Sequence, residues 1–150
     1  MKKGIVGAIF FDEKFWYKIT SRIRKKHKKE EGKSLDHDLK SFLKDCSTER
    51  EFQFYIRCEE CGKIWKSKMV AFSHADKKPL TEGKRIIYET LYRREKADAL
   101  ERAVKEAREI FSCCPICNRL VCDQCFLLCD EIEMCSDCAA RLQEKGVPVA

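Results

Sequence analysis

Hydrophobic residues recur with two different periods along the chain, and together they predict helices and short strands. Near the start, an apolar residue every fourth position indicates an amphipathic helix: Phe11, Phe15, Ile19 and Ile23. A second helix is predicted from Ser34, as N-cap, to about Cys46. Its apolar positions share one face: Leu35, Leu39, Phe42, Leu43 and Cys46.

From residue 52 the period changes to two, which is typical of a half-buried strand: Phe52, Phe54 and Ile56 alternate with polar neighbours. A second strand is predicted from about Ile64 to Phe72, so the two form a hairpin. Its turn contains Cys58 and Cys61, and Gly62 supplies the left-handed conformation that such a turn requires.

Two further helices are predicted in the second half of the chain. The longer one spans about 84–112, with one apolar stripe: Leu100, Ala103, Val104, Ala107, Ile110 and Phe111. The last one spans about 137–145, and Gly146 and Pro148 end it.

Eight of the eleven cysteines form four Cys-x-x-Cys pairs, and these carry the clearest chemistry. The pairs are Cys58/Cys61, Cys114/Cys117, Cys122/Cys125 and Cys135/Cys138. Eight thiolates suffice for two tetrahedral four-cysteine zinc sites, and a site closed by four protein ligands leaves no open position for a substrate. We therefore expect two structural Zn²⁺ ions and no catalytic residues.

Three pairings of the four Cys-x-x-Cys motifs remain open. The crossed pairing joins Cys58/Cys61 with Cys122/Cys125, and Cys114/Cys117 with Cys135/Cys138. The sequential pairing joins the first motif to the second and the third to the fourth, and the nested pairing joins the first to the fourth and the second to the third. Only four residues separate Cys117 from Cys122. Because one metal could hardly close over so short a loop without strain, the crossed pairing is favoured.

Composition limits the remaining choices. The chain has 150 residues, of which 37% are charged, so we expect one domain, or one domain with an appendage, and a small apolar core. The formal charge of +6 falls to about +2 once eight thiolates and two zinc ions are counted, which weakens the case for a polyanionic partner. The odd cysteine count and the lack of a cleavable leader or a long apolar run favour a reducing cytoplasm and no transmembrane segment.

The spacing of the last three motifs resembles the second half of a FYVE-type or RING-like cross-brace zinc domain. The resemblance covers about 25 residues, Cys114–Cys138, together with Cys58 and Cys61. It implies a treble-clef module in which the last motif opens a helix. The family's basic lipid-binding stretch is replaced here by Glu109–Cys113, which has no Arg, Lys or His, so binding of phosphatidylinositol 3-phosphate is not expected.

A closer resemblance is to bacterial zinc-ribbon proteins, which have an Ala-rich helix, a Cys-Pro-x-Cys motif and a Val-Cys-x-x-Cys-aromatic element. The matching residues here are Ala103, Ala107, Phe111, Cys114, Pro115, Cys117, Leu120, Val121, Cys122, Cys125, Phe126, Cys135 and Cys138. This resemblance implies a zinc-binding adaptor module more than an enzyme.

The sequence therefore predicts an α+β protein with a helical N-terminal segment, 1–48, and a double zinc-binding module, 49–150, with a helix inserted at about 84–112. The expected function is non-catalytic binding of another protein through the helices at 11–23 and 84–112. One alternative is a nucleic-acid-binding zinc ribbon that uses the basic segment 14–33. Another is a RING-like module that assists a ligase, with a groove lined by Ile116, Leu120 and Phe126.

The remaining cysteines and the histidines are expected to be structural. Cys46, Cys113 and Cys129 are predicted to be buried apolar side chains, with a redox switch as the alternative. His27, His37 and His74 do not pair with any motif at finger spacing and are predicted not to bind metal.

Overall fold

The structure, a computed structural model, describes residues 39–149, which form short antiparallel strands, two helices and a helical stretch at 39–42. The fold class is α+β, as predicted. The helices are α1 (Glu82–Arg108) and α2 (Ser136–Leu142). The strands are β1 (Lys44–Asp45), β2 (Glu51–Phe52), β3 (Phe54–Arg57), β4 (Ile64–Lys66), β5 (Val70–Ala71), β6 (Phe111–Cys113), β7 (Leu120–Cys122), β8 (Phe126–Cys129), β9 (Ile132–Cys135) and β10 (Val147–Pro148).

These strands form small antiparallel sheets with the orders β1-β3-β4, β2-β5, β6-β7 and β10-β8-β9. The predicted alternation is confirmed, because Phe52, Phe54 and Ile56 are all buried while Gln53 and Tyr55 are partly exposed. β3 pairs with β4 so that Arg57 lies opposite Ile64, and the hairpin turn between them contains the first cysteine motif.

The predicted strand over 64–72 is divided, and a buried serine accounts for the break. Ser67 lies between β4 and β5, and its hydroxyl accepts a hydrogen bond from the Phe54 N–H at 3.0 Å. The Ser67 amide donates to the Phe54 carbonyl at 2.8 Å, and the Gln53 side chain donates to the Ser67 carbonyl at 3.0 Å. These bonds end the pairing of β3 with β4, and β5 pairs instead with β2.

Helix α1 begins at a capping threonine and ends earlier than predicted. The Thr81 hydroxyl accepts from the Lys84 N–H at 3.3 Å, which satisfies one of the free amides of the first turn. The prediction of a helix to residue 112 is wrong, because Phe111 is buried in β6, which pairs with β7. The side chains that α1 buries are small and lie near its end: Ala99, Ala103, Val104 and Ala107.

The chain before the first motif also differs from the prediction. Residues 39–42 are helical, but the predicted continuation to Cys46 is wrong because Lys44 and Asp45 form β1 against β3. Cys46 is exposed rather than buried, and its thiol donates to the Gln53 carbonyl at 3.2 Å. Cys129 is buried, as predicted, and Cys113 is half-buried.

Helix α2 begins one residue earlier and ends three residues earlier than predicted. Gln143, not a glycine, has the left-handed conformation that ends it, with a φ of 57°. Gly146 instead allows its own backbone to lie close to Cys129 at the end of β8, because a Cβ at position 146 would lie 2.6 Å from Cys129 Sγ. Beyond it, β10 pairs with β8.

The predicted helix at 11–23 and the basic segment 14–33 lie outside the described residues. The division into 1–48 and 49–150 stays a prediction. β1 precedes that boundary and pairs with β3, which follows it. None of the helices within the described range has the length and apolar character needed to cross a bilayer.

Candidate metal centres

The eight cysteines of the four motifs gather into two groups of four. In the part of the chain described, the first cluster contains Cys58, Cys61, Cys122 and Cys125, and the second cluster contains Cys114, Cys117, Cys135 and Cys138. Within each cluster the sulfur atoms all lie within 4.8 Å of one another. Each cluster therefore brings together four soft ligand atoms from two distant motifs.

The sulfur spacing fits a tetrahedral metal site. Cys61 Sγ and Cys122 Sγ are 3.7 Å apart in the first cluster, and Cys117 Sγ and Cys135 Sγ are 3.7 Å apart in the second. Four sulfurs at about 2.3 Å from one zinc ion would be separated by about 3.8 Å. A disulfide would bring two sulfurs to about 2.05 Å. The donor set thus fits Zn²⁺ in both clusters.

The first and second motifs adopt the same turn. The Gly62 N–H donates to the Cys58 carbonyl at 3.0 Å, and the Asn118 N–H donates to the Cys114 carbonyl at 2.8 Å. Gly62 has a φ of 74°, which confirms the left-handed conformation predicted for it, and Asn118 has a φ of 58° at the matching position of the second motif. Asn tolerates this conformation better than most side chains do.

The third and fourth motifs use different local structures. Cys122 ends β7 and Cys125 immediately precedes β8, so the third motif forms the turn between these strands. Cys135 is the N-cap of α2, and its sulfur accepts from the Cys138 N–H at 3.4 Å. The predicted position of the last motif at the first turn of the C-terminal helix is confirmed.

Backbone amides point at the sulfurs and favour their ionised form. The Cys122 N–H donates to Cys58 Sγ at 3.3 Å, and the Cys135 N–H donates to Cys114 Sγ at 3.4 Å. Burial alone would raise the pKa of Cys58, but hydrogen bonds from backbone amides, led by that of Cys122, lower it to about 7. The thiolate is the form that binds metal.

An arginine gives the second cluster a positive neighbour. The Arg119 guanidinium donates to Cys117 Sγ at 3.5 Å and to Cys135 Sγ at 3.7 Å, and it forms an ion pair with Asp137 at 2.8 Å. The hydrogen bond from Arg119 lowers the pKa of Cys117 to about 6. The same contacts raise the pKa of Arg119, so it keeps its charge.

Other thiols of the clusters hold their protons more tightly. Burial, together with the adjacent sulfurs of Cys61 and Cys122, raises the pKa of Cys125. Burial and the sulfurs of Cys135, Cys117 and Cys114 raise the pKa of Cys138 to about 12. Several thiolates so close together repel one another, and a divalent cation removes that penalty. Each cluster could therefore hold a cation, which would bind as the protons leave.

Two glutamates inside the first motif connect the clusters. The Glu59 carboxylate accepts from the Leu120 N–H at 2.6 Å, and the Glu59 N–H donates to the Leu120 carbonyl at 3.0 Å. Glu60 accepts from the Ser136 hydroxyl, and Ser136 N–H donates to the Cys125 carbonyl at 2.9 Å. Glu60 lies between Cys58 and Cys61 of the first cluster, and Ser136 follows Cys135 of the second. These contacts therefore link the chain segments that carry the two clusters.

Sequence reasoning did not identify Glu59, Glu60, Ser136 or Arg119 as parts of the site. For Arg119 a signal was present, since it lies two residues after the second cysteine of a motif. His74, by contrast, lies outside both clusters and contacts Ser73. His27 and His37 fall outside the described residues.

The groove predicted for a RING-like module does not have the expected walls. Leu120 is 0% exposed and Phe126 is 4% exposed, because both pack in the core, and Ile116 alone of the three is exposed.

No family model matches the chain, and no curated protein and no solved structure matches it significantly.

Proposed function

We propose that this chain is a non-catalytic zinc-binding adaptor, in which two Zn²⁺ ions hold the fold and the surface binds another protein. The observation that carries the proposal is that each cluster offers four sulfurs, which would close a tetrahedral site completely. We infer the crossed ligand sets, Cys58/Cys61 with Cys122/Cys125 and Cys114/Cys117 with Cys135/Cys138. The sulfur distances support these sets, and they agree with the treble-clef and cross-brace resemblance.

The exposed part of α1 supports a protein as the partner. All the buried residues of α1 come after residue 98, while Ile86 and Ile87 in its first half are more than half exposed. Opposite charges alternate on the same half, with Arg85 contacting Glu82 and Glu89. A surface that combines apolar side chains with balanced charge favours protein contact over a polyanion.

The nucleic-acid alternative depends on the basic segment 14–33, which lies outside the described residues. It predicts binding to DNA that weakens steeply with salt. The ligase-assisting alternative loses support because two of its three groove residues are buried. The adaptor proposal therefore explains more of the described surface than either alternative.

Native mass spectrometry of the full chain tests the structural half of the proposal. We expect two zinc ions per chain, and replacing both cysteines of one motif by serine should remove at least one of them. A chain that binds no zinc, or that shows disulfide-linked masses instead, would overturn the proposal.

Photo-crosslinking tests the adaptor half. A photoreactive amino acid at position 86 should give a discrete protein adduct in the zinc-loaded protein, and the same residue at position 102, an exposed site farther along α1, should not. Equal labelling at both positions, or salt-sensitive DNA binding in place of a protein adduct, would contradict an adaptor role.

A further inference from the structure

A cleft between loop 73–81 and the first half of α1 is lined by basic and apolar side chains. The cavity has a volume of about 290 Å³. Its cationic residues are Lys77, Lys78 and Lys84, and His74 lies beside them. Its apolar side includes Pro79, Ile87 and Tyr88. Among the described residues, no carboxylate forms an ion pair with any of the three lysines.

Tight backbone turns shape the loop that carries His74, Lys77 and Lys78, while Lys84 lies in the first turn of α1. The Ala75 N–H donates to the Phe72 carbonyl at 3.2 Å, and the Lys77 N–H donates to the His74 carbonyl at 3.0 Å. Phe72 is buried against Tyr88 and Tyr92, with ring centroids 5.2 Å from each. The loop is therefore anchored to α1 at its base, and the lysines project from a formed structure.

The side chain of His74 is oriented by its neighbours. The Ser73 hydroxyl donates its proton to Glu95, and the same oxygen lies 2.7 Å from His74 Nδ1. The contact with Ser73 thus occupies the Nδ1 atom of the ring. This leaves Nε2 as the ring atom available to a ligand in the cavity.

A second cavity of about 510 Å³ continues the cleft along α1. It shares Lys78, Pro79 and Tyr88 with the first cavity and extends past Tyr92. Its far end has charges of both signs: Glu49, Glu89 and Arg93. The lining thus includes three lysines in the first cavity, Lys78, Pro79 and Tyr88 in both cavities, and charges of both signs in the second.

We propose that this groove binds a segment of a partner protein in which an acidic side chain stands next to an apolar or aromatic one. The acidic side chain would lie among the three lysines, and the apolar one would pack on Pro79 and Tyr88. Charge complementarity supports this occupant, because the lysines meet no carboxylate of the described chain. The inference rests on the proposed adaptor function and adds the chemistry of the partner.

The mixed charge of the far end argues against a nucleic acid in the same groove. A nucleic acid has a negative charge at every nucleotide, so a strand that followed the groove would meet the carboxylate of Glu49, while Glu89 is already paired with Arg85 and Arg93. A peptide can place its carboxylate at one end only. Ile87, which lines the first cavity, is 61% exposed, and Leu80, which follows Pro79 in the loop, is 87% exposed.

The proposal is tested by selecting peptides that bind the full zinc-loaded chain. The library contains random peptides about 12 residues long. We expect the selected peptides to be enriched in Asp or Glu adjacent to Leu, Phe or Trp. The affinity of a labelled selected peptide is then measured by fluorescence anisotropy for a triple variant, Lys77→Glu, Lys78→Glu and Lys84→Glu. The matched control reverses three other exposed lysines: Lys66→Glu, Lys105→Glu and Lys145→Glu.

The groove variant should lose about tenfold or more in affinity, while the control with the same net charge should change less than about threefold. Zinc content and circular dichroism of both variants establish that they are folded. Selected peptides without acidic residues, or peptides that bind both variants equally, would overturn the groove assignment and leave the adaptor function standing. No selected peptide, together with salt-sensitive binding of a DNA oligonucleotide, would overturn both.

Discussion

Arg119 donates a hydrogen bond from its guanidinium to Cys117 Sγ at 3.5 Å, so a fixed positive charge lies against the second cluster. Four thiolates around one Zn²⁺ carry a net charge of about −2, and a nearby cation offsets part of it. In the first cluster the corresponding position, two residues after the second cysteine, is Lys63, which is exposed. The two clusters therefore have different electrostatic surroundings.

Replacing Arg119 should weaken zinc binding at one cluster only. We expect Arg119→Gln to lower the zinc affinity of the second cluster by about tenfold or more, because residues that contact metal ligands have effects of this size. Native mass spectrometry during titration with a chelator should show the one-zinc form at lower chelator concentration than in the unchanged protein. Lys63→Gln is the control and should leave the titration unchanged. If Arg119→Gln and Lys63→Gln changed the chelator titration equally, the contact of Arg119 with the second cluster would not be the cause of the change.

The contact between Glu60 and Ser136 should stabilise the two clusters together. Ser136→Ala leaves the Glu60 carboxylate, one oxygen of which is buried without a hydrogen-bond partner, with fewer partners still. We expect a loss of about 1–3 kcal/mol in the free energy of unfolding of the zinc-loaded protein.

A double-mutant cycle with Glu60→Gln isolates the interaction of this pair. The thermal unfolding of the four proteins should give a coupling free energy of about 0.5–3 kcal/mol. Additive effects of the two substitutions would mean that the contact contributes nothing of its own.

Two glycines should respond in opposite directions to the same change. Gly146→Ala would place a Cβ 2.6 Å from Cys129 Sγ and 2.7 Å from the Leu128 carbonyl oxygen, so β10 must move away from β8. We expect a destabilisation of about 1–3 kcal/mol.

Gly83 lies in the first turn of α1, and a Cβ added to it would meet no atom within 4 Å outside its chain neighbours and its own helical turn. Gly83→Ala should therefore stabilise the protein by up to about 1 kcal/mol, since alanine favours a helix. Thermal unfolding measures both, and a stabilising Gly146→Ala would contradict the close packing.

Zinc binding should become tighter as the pH rises. The raised pKa values of Cys125 and Cys138 mean that these thiols keep their protons at neutral pH in the metal-free chain, so zinc must displace them. Raising the pH removes the competing protons, and we expect the apparent affinity to rise about tenfold or more per pH unit between pH 6 and 8.

Proton release in a weakly buffered solution gives an independent measure of the same effect. The lowered pKa values of Cys58 and Cys117, about 7 and about 6, mean that these two sulfurs bind as thiolates and lose that form only as the pH falls through those values. Zinc binding should therefore release fewer protons than the number of sulfurs bound. Release of four protons per zinc at pH 7 would contradict these pKa shifts.

The local features of the fold follow from short stretches of sequence. The alternation of Phe52, Phe54 and Ile56 predicts β2 and β3 because the side chains of a strand alternate between its faces. Gly62 and Asn118 mark the two matching turns because few other residues adopt a left-handed conformation at low cost. The four Cys-x-x-Cys motifs give the ligand atoms, since two sulfurs at this spacing can reach one ion. Each of these conclusions concerns residues within a few positions of one another.

The tertiary structure decided everything that depends on distant partners. Ser67 divides a predicted strand because its hydroxyl meets the Phe54 amide, and Phe111 leaves the predicted helix because β7 offers a sheet partner. The sulfurs of Cys58 and Cys122 share a cluster although 64 positions separate them. Only the folded structure shows that the site includes Arg119, Glu60 and Ser136, because their contacts also join residues that are distant in sequence. The sequence by itself determined the turns, the alternation and the candidate ligand atoms. The folded path of the chain decided which of them meet, because local propensity does not encode a contact between distant segments.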